Sequence, residues 1–163
     1  MITRIEALNY KCLRDVSQSL TGFNILVGPN ASGKTTFLDV VSFLGDLVSE
    51  GLEAAVFNRT GNFNDLTWKG TGGPFELAVE FSIPEDKKEL LDNKEDFEFI
   101  RYEVKIGIEK ENEEISILNE TGLFMKKSET GDNDFSPQSL FPSSIKRRES
   151  LLSSKGRGNK TIF

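Results

Sequence analysis

A glycine-rich segment in the first quarter of the chain carries the residue types that bind a row of phosphates. Residues 28–35 read Gly-Pro-Asn-Ala-Ser-Gly-Lys-Thr and match the phosphate-binding pattern G-x-x-x-x-G-K-[ST] at every defined position. Glycine at positions 28 and 33 lets the backbone turn where a Cβ would clash. Successive backbone N–H groups then point into one concavity, where they and the positive end of a following helix bind phosphate oxygens.

Two side chains that follow the turn complete the predicted site. Lys34 reaches the β- and γ-phosphates as a point charge, and the Thr35 hydroxyl is placed to bind the Mg²⁺ that bridges those phosphates. Thr36 adds a hydroxyl for the α-phosphate. A glycine turn that merely precedes a helix is the alternative, but it leaves the Lys-Thr pair unexplained. The predicted nucleotide-binding residues are Gly28, Pro29, Asn30, Ala31, Ser32, Gly33, Lys34, Thr35 and Thr36.

The residues around the loop predict the elements that hold it. Residues 23–27 form a nearly continuous apolar run, which is typical of a strand with both faces covered. After the loop, apolar residues recur at the spacing of one helix face as far as Gly51; they are Phe37, Val40, Val41, Leu44 and Val48. Two shorter strands precede the apolar run. The sequence thus predicts strands, a glycine loop and a helix over residues 1–50.

The remainder of the chain predicts a β layer between two irregular stretches. Residues 51–74 are predicted to be a long loop. Apolar and polar residues alternate over 75–83 and 100–108, which predicts two paired antiparallel strands. Their predicted buried face holds Phe75, Leu77, Val79, Phe81, Tyr102, Val104 and Ile106. A further strand over 114–119 completes a β layer over 75–125 with a polar outer face. Residues 126–163 are predicted to be loop with a short basic helix near 145–154.

The composition excludes several classes of protein. The chain has 163 residues, 37% of them apolar, which fits a single domain. No apolar run approaches the ~20 residues that span a bilayer, and the first residues lack the apolar core of a secretory signal. One cysteine and no histidine exclude an intramolecular disulfide framework and histidine-based catalysis. A soluble cytoplasmic protein without a membrane partner is expected.

The charge distribution leaves contact with nucleic acid open. The net charge is −6, which repels phosphate backbones. Residues 146–160 nevertheless hold six basic residues and one acidic residue. Such a stretch can contact nucleic acid, but a solvated helix end or a loop near nucleotide phosphates is the more ordinary interpretation.

The exact residues of the loop resemble those of a known family. Residues 28–36, Gly-Pro-Asn-Ala-Ser-Gly-Lys-Thr-Thr, closely resemble the Walker A loop of ATPases with ABC/SMC/RecF-type heads. Residues 9–15, Asn-Tyr-Lys-Cys-Leu-Arg-Asp, resemble the opening motif of these heads at the matching distance from the loop. Within that superfamily the chain looks most like bacterial AAA-type ATPases related to RecF and OLD proteins. The resemblance is specific over residues 1–48 and only architectural over 75–119.

The resemblance implies ATP and Mg²⁺ as cofactors and adds two candidate site residues. The basic residue of the family's opening motif lies near the nucleotide, which points to Lys11; an exposed loop lysine is the alternative. The family's metal-binding glutamine has Gln138 as its candidate, and a plain loop residue is the alternative there. Thr35 and Gln138 are therefore the predicted metal ligands.

The residues that hydrolysis requires are not recognisable in the sequence. Hydrolysis needs a carboxylate for Mg²⁺ and a group that orients the attacking water. The family supplies these from a Walker B strand, four apolar residues followed by Asp-Glu, and the 163 residues contain no such run. The fold class predicted is α/β, a P-loop NTPase lobe of ABC/RecF type with an antiparallel β layer, apparently truncated. Residues 1–163 are read as a single partial ATPase domain.

Two functional classes remain open at this point. The first is the ATP-binding N-terminal portion of an ABC/RecF-like ATPase, which hydrolyses ATP only when the missing Walker B and signature segments complete the site. DNA repair or phage defence is what the resemblance implies for it. The second is a non-catalytic nucleotide-binding or protein-interaction module. The chain alone is predicted to be inactive as an ATPase. Self-association or a second ATPase head is the expected partnership, and nucleic acid is implied by the resemblance only.

Overall fold

The described residues form one antiparallel sheet with helices against one of its faces. The computed structural model describes residues 1–88, 97–126, 140 and 150–154. Within them, six strands follow the order β2-β1-β3-β4-β5-β6, and every neighbouring pair is antiparallel. The strands are β1 (Ile2–Tyr10), β2 (Leu13–Ser19), β3 (Phe75–Ser82), β4 (Phe97–Ile108), β5 (Ile115–Lys126) and β6 (Ser150–Ser154). The helices are α1 (Lys34–Glu50), α2 (Leu52–Phe57) and α3 (Glu85–Lys88).

The hydrophobic core lies between α1 and the sheet. The inward face of α1 is buried as its helical spacing predicts, and consists of Phe37, Val40, Phe43, Leu44 and Leu47. Phe43 packs edge-on against Tyr10 of β1 and Phe75 of β3, with ring centroids 5.8 and 5.6 Å away. Aromatic contacts of this geometry add to the burial of their apolar area. They fix α1, and with it the glycine loop, on the first strand of the chain.

The predicted pairing of the central strands is confirmed. β3 and β4 pair with Leu77 opposite Val104 and Val79 opposite Tyr102. Leu77 and Val104 are fully buried on the face toward α1, as the alternation predicts. Phe81 is the member of the predicted face that lies at the margin, since 36% of its surface stays exposed.

The other face of the sheet is polar, as predicted, but it is buried. Arg101 of β4 is 6% exposed and donates hydrogen bonds to the carboxylates of Glu6, Glu80 and Glu103. Leu140 lies over this face: its backbone N–H donates to Glu76, and its carbonyl accepts from Arg101 at 3.4 Å. An alternating strand pattern cannot tell a solvated polar face from one that a distant segment covers, which is why the outer face was expected to be exposed.

We expect Glu103→Gln to flatten the pH dependence of stability. Burial raises the pKa of Glu103 despite the adjacent Arg101 guanidinium. A carboxyl group with a raised folded-state pKa contributes stability below its ordinary pKa of 4.5 and loses it as the pH rises through the folded value. The variant should therefore gain less on acidification than the wild type. Urea unfolding between about pH 4 and 8 measures this, and identical slopes for the two proteins would contradict it.

Three predicted elements differ in the structure. Residues 51–74 are not a featureless loop, because they contain α2 and two 3₁₀ turns, Phe63–Leu66 and Trp68–Gly70. Buried Ala55, Val56, Phe63 and Leu66 anchor them to the core. The helix predicted near 145–154 is wrong over its second half, since residues 150–154 form β6 beside β5. Pairing with an available strand edge outweighs the local helical preference there; residues 145–149 lie outside the described residues.

The apolar run before the loop is the third difference. Residues 23–27 were expected to be a covered strand, but they belong to no strand among the described residues. Phe23, Ile25 and Val27 are 80, 70 and 88% exposed. An extended segment becomes a strand only when another strand bonds to it, and within the described part of the chain none lies alongside.

Candidate nucleotide-binding site

The backbone of the predicted loop is tightly curled, and at Gly33 its conformation favours glycine. Gly33 has φ +90°, and a Cβ there would also lie 3.3 Å from Cys12 Sγ. A Cβ on Gly28 would approach Ser32 Oγ to 2.8 Å. Ala31 also has a positive φ, +63°, and the Ser32 N–H donates to the Pro29 carbonyl at 3.3 Å. The loop therefore curls back on itself, the shape from which backbone N–H groups can surround an anion.

Helix α1 begins directly at the end of the loop. Gly33 is its N-cap, and the first intrahelical hydrogen bond runs from the Phe37 N–H to the Gly33 carbonyl at 2.8 Å. No side chain caps this end, and the first turn contains no acidic residue. The N–H groups of the first turn and the positive end of the helix dipole are thus free of a competing carboxylate from the same turn.

Lys34 folds back over the loop. Its ammonium donates to the carbonyls of Gly28 at 2.7 Å and Pro29 at 2.6 Å, and it lies 3.4 Å from Ser32 Oγ. These acceptors are neutral, whereas a phosphate oxygen carries charge and makes a stronger bond to an ammonium group. Lys34 therefore lies over the loop on neutral acceptors, which bind an ammonium group less strongly than a charged oxygen does.

The turn between β1 and β2 packs against the loop. Cys12 lies beside Gly33, and its thiol donates to Thr36 Oγ1 at 3.3 Å. The Lys11 N–H donates to the Leu66 carbonyl at 2.9 Å, which fixes the turn on the 3₁₀ segment. The structure thus brings the opening motif next to the loop. Thr35 is exposed on the first turn of α1, and Gln138 lies outside the described residues.

The Lys11 side chain enters an ion-pair cluster that the sequence analysis missed. Asp39 on α1 accepts from Lys11 Nζ at 2.6 Å, from the Tyr10 hydroxyl at 2.6 Å and from Arg59 Nε at 2.8 Å. Arg59 in turn donates to Asp46 at 2.7 Å. Burial by itself raises the pKa of Asp39, but the hydrogen bonds from Lys11 and Tyr10 outweigh it, and the pKa lies below its ordinary value.

A shallow groove adjoins this cluster. Its volume is about 480 Å³, and its lining residues are Lys11, Cys12, Asp65, Thr67, Trp68, Lys69 and Gly70. Lys69 Nζ lies 5.6 Å from the centre of the Trp68 ring. Trp68 is the sole tryptophan of the sequence, so its fluorescence reports on the neighbourhood of Lys11 and the loop.

The described residues contain no group of three or more His, Cys, Asp or Glu side chains that could hold a metal ion on its own. Among the same residues, no helix is both long and apolar enough to cross a membrane.

Parts of the chain are similar to known proteins. Chromosome partition protein Smc of Thermoplasma acidophilum is 30% identical over 95 residues, which are 57% of this chain and 8% of that protein. OLD nuclease of Thermus scotoductus is 40% identical over 48 residues, 29% of this chain and 9% of that protein. A solved chain from work on ATP-driven dimerization and DNA-stimulated activation of SMC ATPases gives a TM-score of 0.49 at 20% identity, covering 77% of this chain and 69% of that one.

These relatives confirm the resemblance to SMC- and OLD-type ATPases. The chain spans less than a tenth of either curated relative. The family model described as the AAA ATPase domain matches residues 1–151. The predicted combination of a glycine loop, the helix that follows it and an antiparallel β layer is confirmed as well. The chain belongs to the AAA ATPase domain family.

Proposed function

We propose that this chain binds ATP and Mg²⁺ through the loop at residues 28–35. The observation that carries the proposal is the position of Lys34, whose ammonium lies over the loop on the carbonyls of Gly28 and Pro29. Positive-φ residues curl the loop, and α1 begins directly after it. These features favour phosphates as the ligand, because a helix N-terminus without a side-chain cap and one ammonium group lie at the same curled loop.

Each residue of the proposed site has its own task. Backbone N–H groups of residues 30–36 bind phosphate oxygens, and Lys34 binds the β- and γ-phosphates. Thr35 is a ligand of Mg²⁺, and Gln138 is proposed as a second one on the strength of the family resemblance. Thr36 binds the α-phosphate, and Lys11 approaches the same phosphates from the adjoining turn. The contact of Cys12 with Gly33 and Thr36 supports the placement of Lys11 beside the site.

We further propose that the chain acts as the ATP-binding part of an ABC/RecF-like ATPase. Hydrolysis would then need a catalytic carboxylate in addition to these residues, since the sequence contains no apolar run followed by Asp-Glu. A non-catalytic nucleotide-binding or protein-interaction module is the second candidate. The chemistry of ATP binding is common to both. Since the chain alone is expected to be inactive in either case, turnover of ATP by a longer protein that supplies the catalytic carboxylate separates them.

The proposed partners follow from the relatives and from one exposed segment. One relative is named a chromosome partition protein and the other a nuclease, and together with the family resemblance they support a role in DNA repair or phage defence as part of the proposal. Residues 23–27 present exposed apolar side chains next to the loop. Covering such a segment favours association with a second copy or a second ATPase head.

Titration calorimetry with ATP tests the proposal, with and without Mg²⁺. The wild type should bind one ATP per chain, and Mg²⁺ should tighten the binding. Thr35→Ala should keep most of the affinity, because the backbone N–H groups remain, but should lose most of the effect of Mg²⁺. Thr35→Ser, which keeps the hydroxyl, should restore it. Failure of the wild type to bind ATP would refute the proposal, as would an equal response of all three proteins to Mg²⁺.

A further inference from the structure

Asp39 ties together three elements that surround the glycine loop. Its Oδ2 atom accepts hydrogen bonds from the hydroxyl of Tyr10 on β1 and from Lys11 Nζ on the adjoining turn. Its Oδ1 atom accepts from Arg59 Nε, in the segment after α2. One carboxylate on the second turn of α1 thus holds the lysine that the proposed function assigns to the nucleotide. A phosphate near the turn would have to compete with this carboxylate.

The charges of the cluster cancel. Lys11 and Arg59 contribute the two positive charges, and Asp39 and Asp46 contribute the two negative ones, joined by contacts of 2.6 to 2.8 Å. A balanced cluster offers an incoming polyanion little net attraction. The Lys11 ammonium is attracted to the Asp39 carboxylate at 2.6 Å, and this attraction opposes any movement of the ammonium toward a phosphate.

The ion pair between Lys11 and Asp39 is partly exposed, so the Lys11 ammonium can leave Asp39 for another acceptor. The Asp39 side chain is 20% exposed and that of Lys11 is 28% exposed. Lys11 also lines the open groove beside Cys12, so its flexible four-carbon stem has room to turn without disturbing the core. Arg59, only 9% exposed, is instead fixed by Asp46 and by the Ala55 carbonyl. Lys11 is therefore the partner of Asp39 that can change acceptor.

We infer that Asp39 is a positioning residue that competes with the phosphates of the nucleotide for Lys11 and thereby sets the affinity of the loop. The inference rests on the proposed function, since it needs ATP to be bound at residues 28–35. Neutralising Asp39 has two effects of the same sign: it releases Lys11 to the phosphates, and it removes a negative charge near them. A residue with a merely structural role would weaken binding when it is replaced.

The test compares ATP affinity in four variants by titration calorimetry. We expect Asp39→Asn to lower the dissociation constant of ATP·Mg by about three- to tenfold at low ionic strength. Asp46→Asn removes the same charge from the same helix, about 10 Å further along α1 at ~1.5 Å per residue, and should change it by less than about twofold. In a Lys11→Met background, Asp39→Asn should bring a clearly smaller gain over Lys11→Met alone, because only the removal of the negative charge of Asp39 then remains.

Each other result counts against the inference. An Asp39→Asn variant with weaker or unchanged affinity overturns it, and so does an equal gain in the Lys11→Met background. The outcome is also separable from the failure of the proposed function. A wild type that binds no ATP overturns both, whereas normal wild-type binding that is insensitive to Asp39→Asn overturns the role of Asp39 alone.

A measurement on the wild type covers the case in which Asp39→Asn fails to fold. The hydrogen bond from Lys11 is the first of the interactions that hold the pKa of Asp39 below its ordinary value against the effect of burial. Transfer of Lys11 to a phosphate should therefore raise the pKa of Asp39, as followed by ¹³C NMR of its carboxyl group at saturating ATP·Mg. A pKa that stays constant or falls overturns the inference.

Discussion

Replacing Arg101 with alanine is expected to lower the free energy of unfolding by about 3–5 kcal/mol. The guanidinium of Arg101 is the shared partner of Glu6, Glu80 and Glu103, all of them 6% exposed or less. Its removal leaves buried carboxylates without their counter-charge. The free energy of unfolding lost in this way is much larger than the net stability that a buried ion pair provides relative to apolar residues of similar volume. Chemical unfolding followed by circular dichroism measures the change.

The surface residue Arg14 provides the control for this prediction. It is exposed on β2, so Arg14→Ala should cost less than about 0.5 kcal/mol. Arg101→Ala should also recover stability as the pH falls, because protonation removes the uncompensated charges of the buried carboxylates. A loss no larger than that of Arg14→Ala, or a loss that grows on acidification, would contradict the account of this face.

Replacing Lys34 with alanine is expected to weaken ATP binding by about one to two decades. A charge-assisted hydrogen bond contributes roughly 1.5–3 kcal/mol, and ~1.4 kcal/mol is a factor of ten in affinity. Since the contacts of Lys34 within the chain are to the loop itself, its loss should leave the unfolding free energy nearly unchanged. The quenching of Trp68 fluorescence on titration with ATP·Mg gives the dissociation constants.

Lys87→Ala is the matched control for Lys34→Ala. It removes one lysine charge from α3, where the side chain is 62% exposed and pairs with Asp86 at 3.6 Å. General attraction between the chain and a polyanion would weaken equally in both variants, whereas a specific contact is lost in one of them. Equal affinities of the wild type and Lys34→Ala would show that the loop does not surround phosphate in this chain.

The parts of the fold that the sequence predicted are those that short-range patterns determine. The alternation over β3 and β4 specifies which side chains face α1, because a shift of one residue would expose the whole apolar set. The buried face of α1 follows in the same way from its helical spacing. In both cases the residues that carry the signal lie within a few positions of one another.

The parts that the sequence did not predict depend on distant segments. From the sequence alone, the carboxylates of Glu6, Glu80 and Glu103 were expected to face solvent. In the structure they accept hydrogen bonds from Arg101, and Leu140 contacts Arg101 on the same face of the sheet. Residues 150–154 were predicted to be helical, but they pair with the edge of β5, a segment distant in the sequence. Residues 23–27 were also expected to be covered. Their apolar pattern indicates an extended strand, but it does not show whether another strand lies beside them.

The same distinction between local patterns and distant contacts applies to the candidate site. The loop at residues 28–35 is a local motif, and its glycines, Lys34 and Thr35 were evident from spacing alone. Asp39 and Arg59 were missed, because their significance arises from contacts across 20 and 28 positions of the chain. The available signal was a carboxylate among the apolar residues of α1, between Leu38 and Val40.

Two-dimensional amide NMR of the chain with ATP·Mg and with adenosine tests most directly whether the loop binds phosphate. ATP·Mg should shift the amide resonances of residues 30–36, because the phosphates replace water at these N–H groups, and should move the Lys34 ammonium from the carbonyls of Gly28 and Pro29. Adenosine, which lacks phosphate, should leave these resonances unchanged. Shifts that ATP·Mg causes only outside the loop, or loop shifts that adenosine reproduces, would contradict the account.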